Sequence, residues 1–99
     1  MAYTIFATFE YDTPEDRDNV LPAFRAHRDR CLANEPGTLK FDIALPNDDD
    51  RKVMLYEVYV DEAAFDVHWN GESVKMFRAE VEPLGIKSTL SATRCTSVE

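Results

Sequence analysis

The chain has 99 residues, 44% of them hydrophobic, and a formal net charge of −8 at pH 7. This length suits one domain over residues 1–99, and the acidic balance argues against nucleic acid or anionic membranes as partners. No apolar run is long enough to cross a membrane and the first residues do not resemble a secretion signal, so a cytoplasmic protein is expected.

The first two predicted elements are a strand and a long helix. Residues 3–11, YTIFATFEY, alternate in the way that is typical of a strand. Thr13 is a suitable N-cap and Pro14 suits the first helical position, so a helix is predicted from Pro14 to Asn34. Its apolar stripe consists of Val20, Phe24, His27 and Cys31. The NEPG sequence that follows should end the helix, because proline restricts the residue before it.

A β-hairpin is predicted next. The segment TLKFDIAL alternates, and it should place Leu39, Phe41, Ile43 and Leu45 on one face. A polar turn, PNDDDR, leads into a partner strand, KVMLYEVYV.

The remainder of the chain predicts a broken helix and a last strand. Asp61 can cap a helix that Gly71 ends, and Ser73 is expected to cap a further short helix that ends before Pro83. Weak alternation from Ile86 to Ala92 indicates a final strand. The order β-α-β-β-α-β predicts an α+β fold of the ferredoxin-like type, an antiparallel sheet with helices on one face.

The second strand of the hairpin is apolar on both of its faces. Two helices can cover only one face of a four-stranded sheet. The other face therefore needs another cover, and a homodimer with sheet against sheet is predicted.

No motif for a bound cofactor is present. Cys31 and Cys95 lack a redox or metal-binding spacing, and His27 and His68 match no zinc signature. The three glycines are isolated, so there is no phosphate-binding loop. The protein is expected to carry no flavin, haem or metal.

His68 is the first candidate catalytic residue. It lies in AFDVHWN beside Trp69 and one turn after Phe65, so an aromatic wall around an acid–base group is one interpretation. The alternative is a partly buried histidine that only packs and bonds a neighbour. The same choice applies to His27, which is expected in the core or at a pocket edge.

Glu57 is the second candidate, because its strand face also holds Leu55 and Tyr59. A buried carboxylate needs a partner, and a salt bridge to an arginine such as Arg28 or Arg94 is expected, within the chain or across the dimer. The alternative is that Glu57 orients His68 or acts as an acid. Tyr56 and Tyr59 should point to opposite faces, so at most one lines a given cavity.

The segments NEPGTLKFDI and VMLYEVYVDEAAFDVH resemble the antibiotic biosynthesis monooxygenase family. The resemblance rests on an E-P-G turn, an acid and an aromatic near a strand end, and an A-F-x-x-H helix. It implies a dimeric α+β barrel that binds a small aromatic molecule. Many relatives have a second histidine where this chain has Ser73, and the residues typical of the haem-degrading branch are missing.

The function that this resemblance implies is a cofactor-independent monooxygenase of a small phenol, quinol or polyketide-like aromatic. His68 would be its acid or base. The candidate substrate-binding residues are Trp69, Phe65, Tyr56, Tyr59, Glu57 and His27. Two alternatives stay open: an isomerase-type enzyme on the same scaffold, and a dimeric small-molecule-binding protein without catalysis.

Overall fold

A computed structural model of the chain describes residues 1–98. The elements in chain order are β1 (Tyr3–Tyr11), α1 (Pro14–Asn34), β2 (Thr38–Ala44), β3 (Lys52–Tyr59), α2 (Glu62–Trp69), α3 (Glu72–Val81), a 3₁₀ turn (Glu82–Leu84) and β4 (Ser88–Thr96). The four strands form one antiparallel sheet in the order β2-β3-β1-β4. The predicted α+β, ferredoxin-like arrangement is confirmed.

The core lies between the helices and one face of the sheet. Alternate residues of β1 and β3 point into it, in keeping with the period-2 geometry of a strand. The buried residues of the main apolar cluster are Ile5, Ala7, Tyr11, Val20, Phe24, Cys31, Phe41, Val53, Leu55, Tyr59 and Phe65. Because Ile5 pairs with Glu57 on one side and Arg94 on the other, these three residues form one row across the inner face.

Helix α1 begins and ends where the sequence predicts. The Thr13 side chain accepts a hydrogen bond from the Asp16 backbone N–H at 3.1 Å, which satisfies one of the free donors of the first turn. At the other end the Glu35 backbone N–H donates to the Cys31 carbonyl at 3.0 Å. The predicted stripe is buried against the sheet, so His27 and Cys31 face the interior.

The start of α3 differs from the prediction. Asp61 caps α2 as expected, but the N-cap of α3 is Gly71, and Ser73 lies buried inside the first turn. A side chain at position 71 would lie 2.6 Å from the Val67 carbonyl, so the tight connection between the two helices requires glycine. Ser73 is thereby brought against α1 rather than exposed at a helix start.

The face predicted for β2 is also partly wrong. Phe41 is buried, but Leu39 is 57% exposed, because the pairing with β3 shifts by one residue between Thr38 and Lys40. Such a bulge turns the following side chains to the opposite face. Leu45 lies beyond the end of β2 and is also exposed.

The second face of the sheet has no cover within residues 1–98. Phe6 and Met54 are exposed there, and the Phe6 and Tyr56 rings pack with their centroids 5.2 Å apart. Among the described residues, no helix has the length and apolar character that crossing a bilayer requires.

Candidate functional site

The candidate site is a cleft between α2, α3 and the inner face of the sheet. It has two parts, cavities of about 200 Å³ and about 100 Å³. Both are lined by Phe9, His68, Trp69 and Leu90, so they are two ends of one space. The larger end also contacts His27, and the smaller end contacts Glu57 and Phe65.

His68 combines burial with access to this cleft. Its residue is 3% exposed, and its Nδ1 lies 2.8 Å from Glu35 Oε1. Because a carboxylate oxygen only accepts, Nδ1 carries the proton and donates it in this bond, which leaves Nε2 with its lone pair. Nε2 points the other way, 3.9 Å from Glu57 Oε1. The imidazole thus lies between two carboxyl groups.

Glu35 is held in place by the end of α1 and by Thr38. The Thr38 hydroxyl donates to Glu35 Oε1 at 2.7 Å, and the Thr38 backbone N–H donates to the Glu35 carbonyl at 3.0 Å. Burial raises the pKa of the Glu35 carboxyl, but the hydrogen bonds from Thr38 and His68 outweigh burial and leave the pKa below its ordinary value. Glu35 is therefore the ionised partner of His68.

The approach of α2 to this turn depends on Gly37. A Cβ at this position would lie 2.5 Å from the Cβ of Ala64, one turn before His68. The absence of a side chain at Gly37 and the small side chain of Ala64 let the helix come close enough for His68 to reach Glu35. The E-P-G turn and the A-F-x-x-H helix are thus two halves of one contact.

Glu57 has a different environment from Glu35. It is 5% exposed on the inner face of β3, and the Tyr59 hydroxyl donates to its Oε1 at 2.5 Å. Burial raises the pKa of Glu57 above its ordinary value, against the opposing effects of the Tyr59 hydrogen bond and the charge of His68. The same Tyr59 hydroxyl has a raised pKa, first through burial and then through Glu57.

The salt bridge expected for Glu57 does not form among residues 1–98. Arg28 pairs with its neighbour Asp29, and Arg94 lies over the Phe65 ring. Glu57 instead accepts a hydrogen bond from the Tyr59 hydroxyl, and His68 Nε2 lies 3.9 Å from its Oε1, beyond hydrogen-bond distance. The alternative, in which Glu57 orients His68 or acts as an acid, stays a prediction.

His27, Cys31 and His68 form a buried cluster, although their sequence spacing matches no metal motif. One donor atom from each lies within 4.8 Å of the others, so the set could hold a soft ion of the zinc type. His27 Nδ1 donates to the Ser73 carbonyl at 3.2 Å, and Cys31 Sγ lies 3.7 Å from His27 Nε2. His68 Nδ1 already bonds Glu35, so the side chains satisfy one another without an ion. The absence of a metal stays a prediction.

Burial also shifts the pKa values of His27 and Cys31, the two residues that α1 contributes to this cluster. Burial, followed by the charge of His68, lowers the pKa of His27 to about 4, so this imidazole is neutral at neutral pH. Burial, followed by the charge of Glu35, raises the pKa of the Cys31 thiol to about 12. Cys31 therefore stays protonated and is a poor nucleophile.

Five of the seven residues selected from the sequence line the cleft: His68, Trp69, Phe65, Glu57 and His27. Tyr59 is fully buried behind Glu57, where it donates its hydroxyl. Tyr56 lies on the opposite face of the sheet, against Phe6. The two tyrosines thus point to opposite faces.

Sequence reasoning missed Glu35, Arg78 and Arg94 as site residues. Glu35 was visible only as part of the E-P-G turn, 33 positions from His68, so its role required the fold. Arg78 lines the larger cavity and Arg94 the smaller one. Neither arginine belongs to a motif that would have identified it.

The arrangement can move protons. At neutral pH it presents a carboxylate on one side of His68 and a carboxyl group with a raised pKa on the other, inside an apolar cleft. An imidazole whose Nδ1–H is fixed by a carboxylate can accept a proton at Nε2, and the charge that results is stabilised by that carboxylate.

Comparison with known proteins gives a family model and several solved structures. The model described as antibiotic biosynthesis monooxygenase matches residues 2–80. A candidate antibiotic biosynthesis monooxygenase of Caulobacter crescentus has a TM-score of 0.88 at 19% identity, covering 99% of this chain and 91% of that one. Rv0793 of Mycobacterium tuberculosis has a TM-score of 0.81 at 20% identity, covering 100% and 97%.

A further candidate antibiotic biosynthesis monooxygenase, from Nitrosomonas europaea, has a TM-score of 0.85 at 20% identity and covers 98% of this chain and 90% of that one. At these identities the structural likeness establishes the fold alone. Comparison with curated proteins found no significant match.

Proposed function

This chain belongs to the antibiotic biosynthesis monooxygenase family, and on that premise we propose that it is a cofactor-independent monooxygenase of a small phenol or quinol. The observation that carries the proposal is the position of His68. Its imidazole is fixed by Glu35 at Nδ1, and it lines both parts of an apolar cleft together with Trp69. A flat ring in this cleft would have an aromatic wall on one side and a base within reach.

The first step is proton transfer. His68 Nε2 takes the hydroxyl proton of the phenol, and Glu35 stabilises the imidazolium that forms. The resulting phenolate lies in a mainly apolar cleft, where the anion is electron-rich and reactive. Proton removal thereby prepares the ring for reaction with oxygen.

The later steps balance without an external reductant. The phenolate carbon beside or opposite the oxygen bonds O₂, and the peroxide anion takes a proton to become a hydroperoxide. Loss of the ring hydrogen with the outer oxygen as water leaves a carbonyl. One oxygen atom enters the product and one enters water. His68, or Glu57 with its raised pKa, can return the proton.

The active form that we propose is a cytoplasmic homodimer. Support for the dimer comes from the uncovered sheet face, where Phe6, Met54 and Tyr56 form an apolar surface. Support for the location comes from Cys31 and Cys95, which are both free thiols, as is usual in a reducing compartment.

The test is oxygen consumption with hydroquinone as the probe. In ¹⁸O₂ the wild-type protein should yield hydroxyquinone that contains one labelled oxygen. His68→Ala and His68→Gln should lower the rate by about 10²–10⁴-fold, the typical effect of losing a general base. Circular dichroism checks that both variants are folded. Unlabelled product, or full activity in a folded His68 variant, would contradict the proposal.

An isomerase-type enzyme is the second candidate, because two carboxyl groups flank one imidazole. Glu35 and Glu57 have pKa values shifted in opposite directions, an arrangement that suits the transfer of a proton between two positions of a substrate. Such an enzyme would exchange a substrate proton with solvent deuterium without consuming oxygen. Deuterium uptake under argon that depends on His68 would favour this candidate.

A further inference from the structure

The cleft carries positive charge at both ends. Arg78 lines the larger cavity and Arg94 lines the smaller one. The guanidinium carbon of Arg78 lies 5.5 Å from the Trp69 ring centroid, and that of Arg94 lies 5.0 Å from the Phe65 centroid. The Phe65 and Trp69 rings themselves are stacked at 6.2 Å. One guanidinium is thus anchored on each of two adjacent aromatic rings beside the cleft.

Neither guanidinium has a carboxylate partner within residues 1–98. Arg17, Arg28, Arg30 and Arg51 form ion pairs in the structure, whereas Arg78, Arg94 and the exposed Arg25 of α1 form none. Of these three, only Arg78 and Arg94 line the cleft. The contrast is informative in a chain with 19 acidic residues and a net charge of −8, where a nearby carboxylate is easily found. The position of these two arginines is therefore not explained by charge balance within the chain.

Among residues 1–98, no acidic group that lines the cleft pairs with either arginine. Glu57 is the one acidic residue that lines either cavity, and burial raises the pKa of its carboxyl. Its hydrogen bond goes to Tyr59 rather than to an arginine. The surrounding wall is formed by Phe9, Trp69 and Leu90, which suit a flat apolar ring.

We propose that the substrate is an aromatic anion, a small ring system with a carboxylate substituent, and that Arg78 and Arg94 select it. This inference rests on the proposed function, since the same cleft and His68 are used. Phe9, Trp69 and Leu90 contact the ring, and the guanidinium groups attract the negative charge. The two parts of the cleft, about 200 Å³ and about 100 Å³, together lie at the lower end of the roughly 300–1,000 Å³ usual for drug-sized ligands, which favours one or two rings.

The positive charges of Arg78 and Arg94 also suit the reaction. A phenolate formed by His68 adds a second negative charge to the bound molecule. A cleft with two unpaired guanidinium groups favours that dianion over the monoanion, so the same arginines assist both binding and proton removal.

The test is a binding titration with two matched probes, 2,5-dihydroxybenzoate and 2,5-dihydroxybenzamide. They differ in charge but hardly in shape. Trp69 is the single tryptophan and lines the cleft, so its fluorescence reports binding directly. The titrations are performed under argon, which prevents turnover. The benzoate should bind about five- to tenfold more tightly than the amide at low salt, and added salt should reduce this difference.

Variants separate the role of charge from general effects. Arg78→Gln and Arg94→Gln should each weaken binding of the benzoate several-fold and leave the amide unchanged. Arg51→Gln is the matched control, since this arginine lies at the polar turn before β3 and pairs with Glu10 and Asp49. It should change neither dissociation constant.

Three results would overturn the inference: equal affinity of the wild type for the two probes, no binding of either probe, or an equal loss of affinity for both probes in the arginine variants. The outcome can be separated from that of the proposed function. Tight binding of the benzoate without oxygen consumption would refute the monooxygenase alone. Oxygenation of hydroquinone, combined with equal affinity for the benzoate and the amide, would refute only the proposal that the site selects an anion.

Discussion

At the scale of single residues, the surroundings of His68 show that packing and a position in a cavity are not exclusive. The sequence presents them as alternatives, either a buried histidine that bonds a neighbour or an acid–base group in a cavity. In the structure the side chain bonds Glu35, has little exposure and still lines the cleft. His68→Ala should therefore lower the free energy of unfolding by about 1–3 kcal/mol, in addition to its effect on turnover, because Glu35 is left without this partner.

His27 gives a residue-scale prediction about pH. Burial and the neighbouring charge of His68 lower its pKa in the folded state to about 4, from about 6.5 when unfolded, although the Ser73 carbonyl opposes this shift. Between these pH values the unfolded chain binds a proton that the folded chain does not. The contribution of His27 to the free energy of unfolding is therefore complete above pH 6.5 and is lost as the pH falls toward 4.

The substitution His27→Gln should remove this pH dependence. In the wild type, the free energy of unfolding should fall by up to about 1.4 kcal/mol per pH unit across the window through this group alone. The other titratable or charged groups near this imidazole are unchanged in the variant, so the difference between the two curves isolates His27. These groups are Arg30, Cys31, Glu35 and His68. Urea denaturation at pH 4.5, 5.5 and 7 measures it, and parallel curves would contradict the assignment.

At the scale of elements, the sequence predicts local structure well and tertiary contacts poorly. The bounds of β1 and α1 agree with the structure because alternation, an N-cap and a proline act within a few residues. Leu39 and Ser73 were misplaced, the first by a bulge that depends on pairing with β3 and the second by a tight turn at Gly71. Neither feature is encoded by periodicity alone.

The site follows the same division. His68, Glu57 and Trp69, which line the cleft, were selected as candidates because their residue types are unusual for the positions that they occupy. Glu35 was not selected, since it belongs to a turn whose distance from His68 in the sequence conceals their contact. Element packing, above all the contact of the E-P-G turn with α2, joins the two.

That packing gives an element-scale prediction. Gly37→Ala would place a Cβ 2.5 Å from the Cβ of Ala64 and push α2 away from the turn. We expect a loss of about 1–3 kcal/mol in the free energy of unfolding, the usual cost of overpacking, together with reduced turnover, because His68 moves relative to Glu35.

A double-mutant cycle tests whether the contact between positions 37 and 64 causes this loss of stability. Ala64→Gly alone should cost about 1 kcal/mol through its lower helix propensity. In the double variant the space vacated at position 64 admits the new methyl group. The combined loss should therefore be smaller than the sum of the two single losses by about 1 kcal/mol. Strict additivity in urea denaturation would mean that the two positions do not contact each other.

At the scale of the whole molecule, the helices and the cleft occupy one side of the sheet and leave the other side apolar. Phe6 is 51% exposed and Met54 is 42% exposed, although both lie at the centre of the sheet rather than at its edge. A surface of this kind on a chain with a net charge of −8 is an expected contact between two copies, since burial of the apolar centre can outweigh the repulsion between like charges.

Phe6→Glu tests this arrangement directly. A carboxylate at the centre of a face shared by two copies would bring two negative charges together in an apolar contact, so the variant should be a monomer while the wild type is a dimer. Light scattering coupled to gel filtration at micromolar concentration measures the mass.

Val67→Glu is the matched control, because Val67 is 66% exposed on α2, on the helical side of the sheet, and its variant should remain a dimer. A wild-type monomer, or a Phe6→Glu dimer, would refute the pairing of sheets. Circular dichroism distinguishes a folded monomer from a chain that fails to fold without its partner, and the folded monomer is expected, since Phe6 points away from the core.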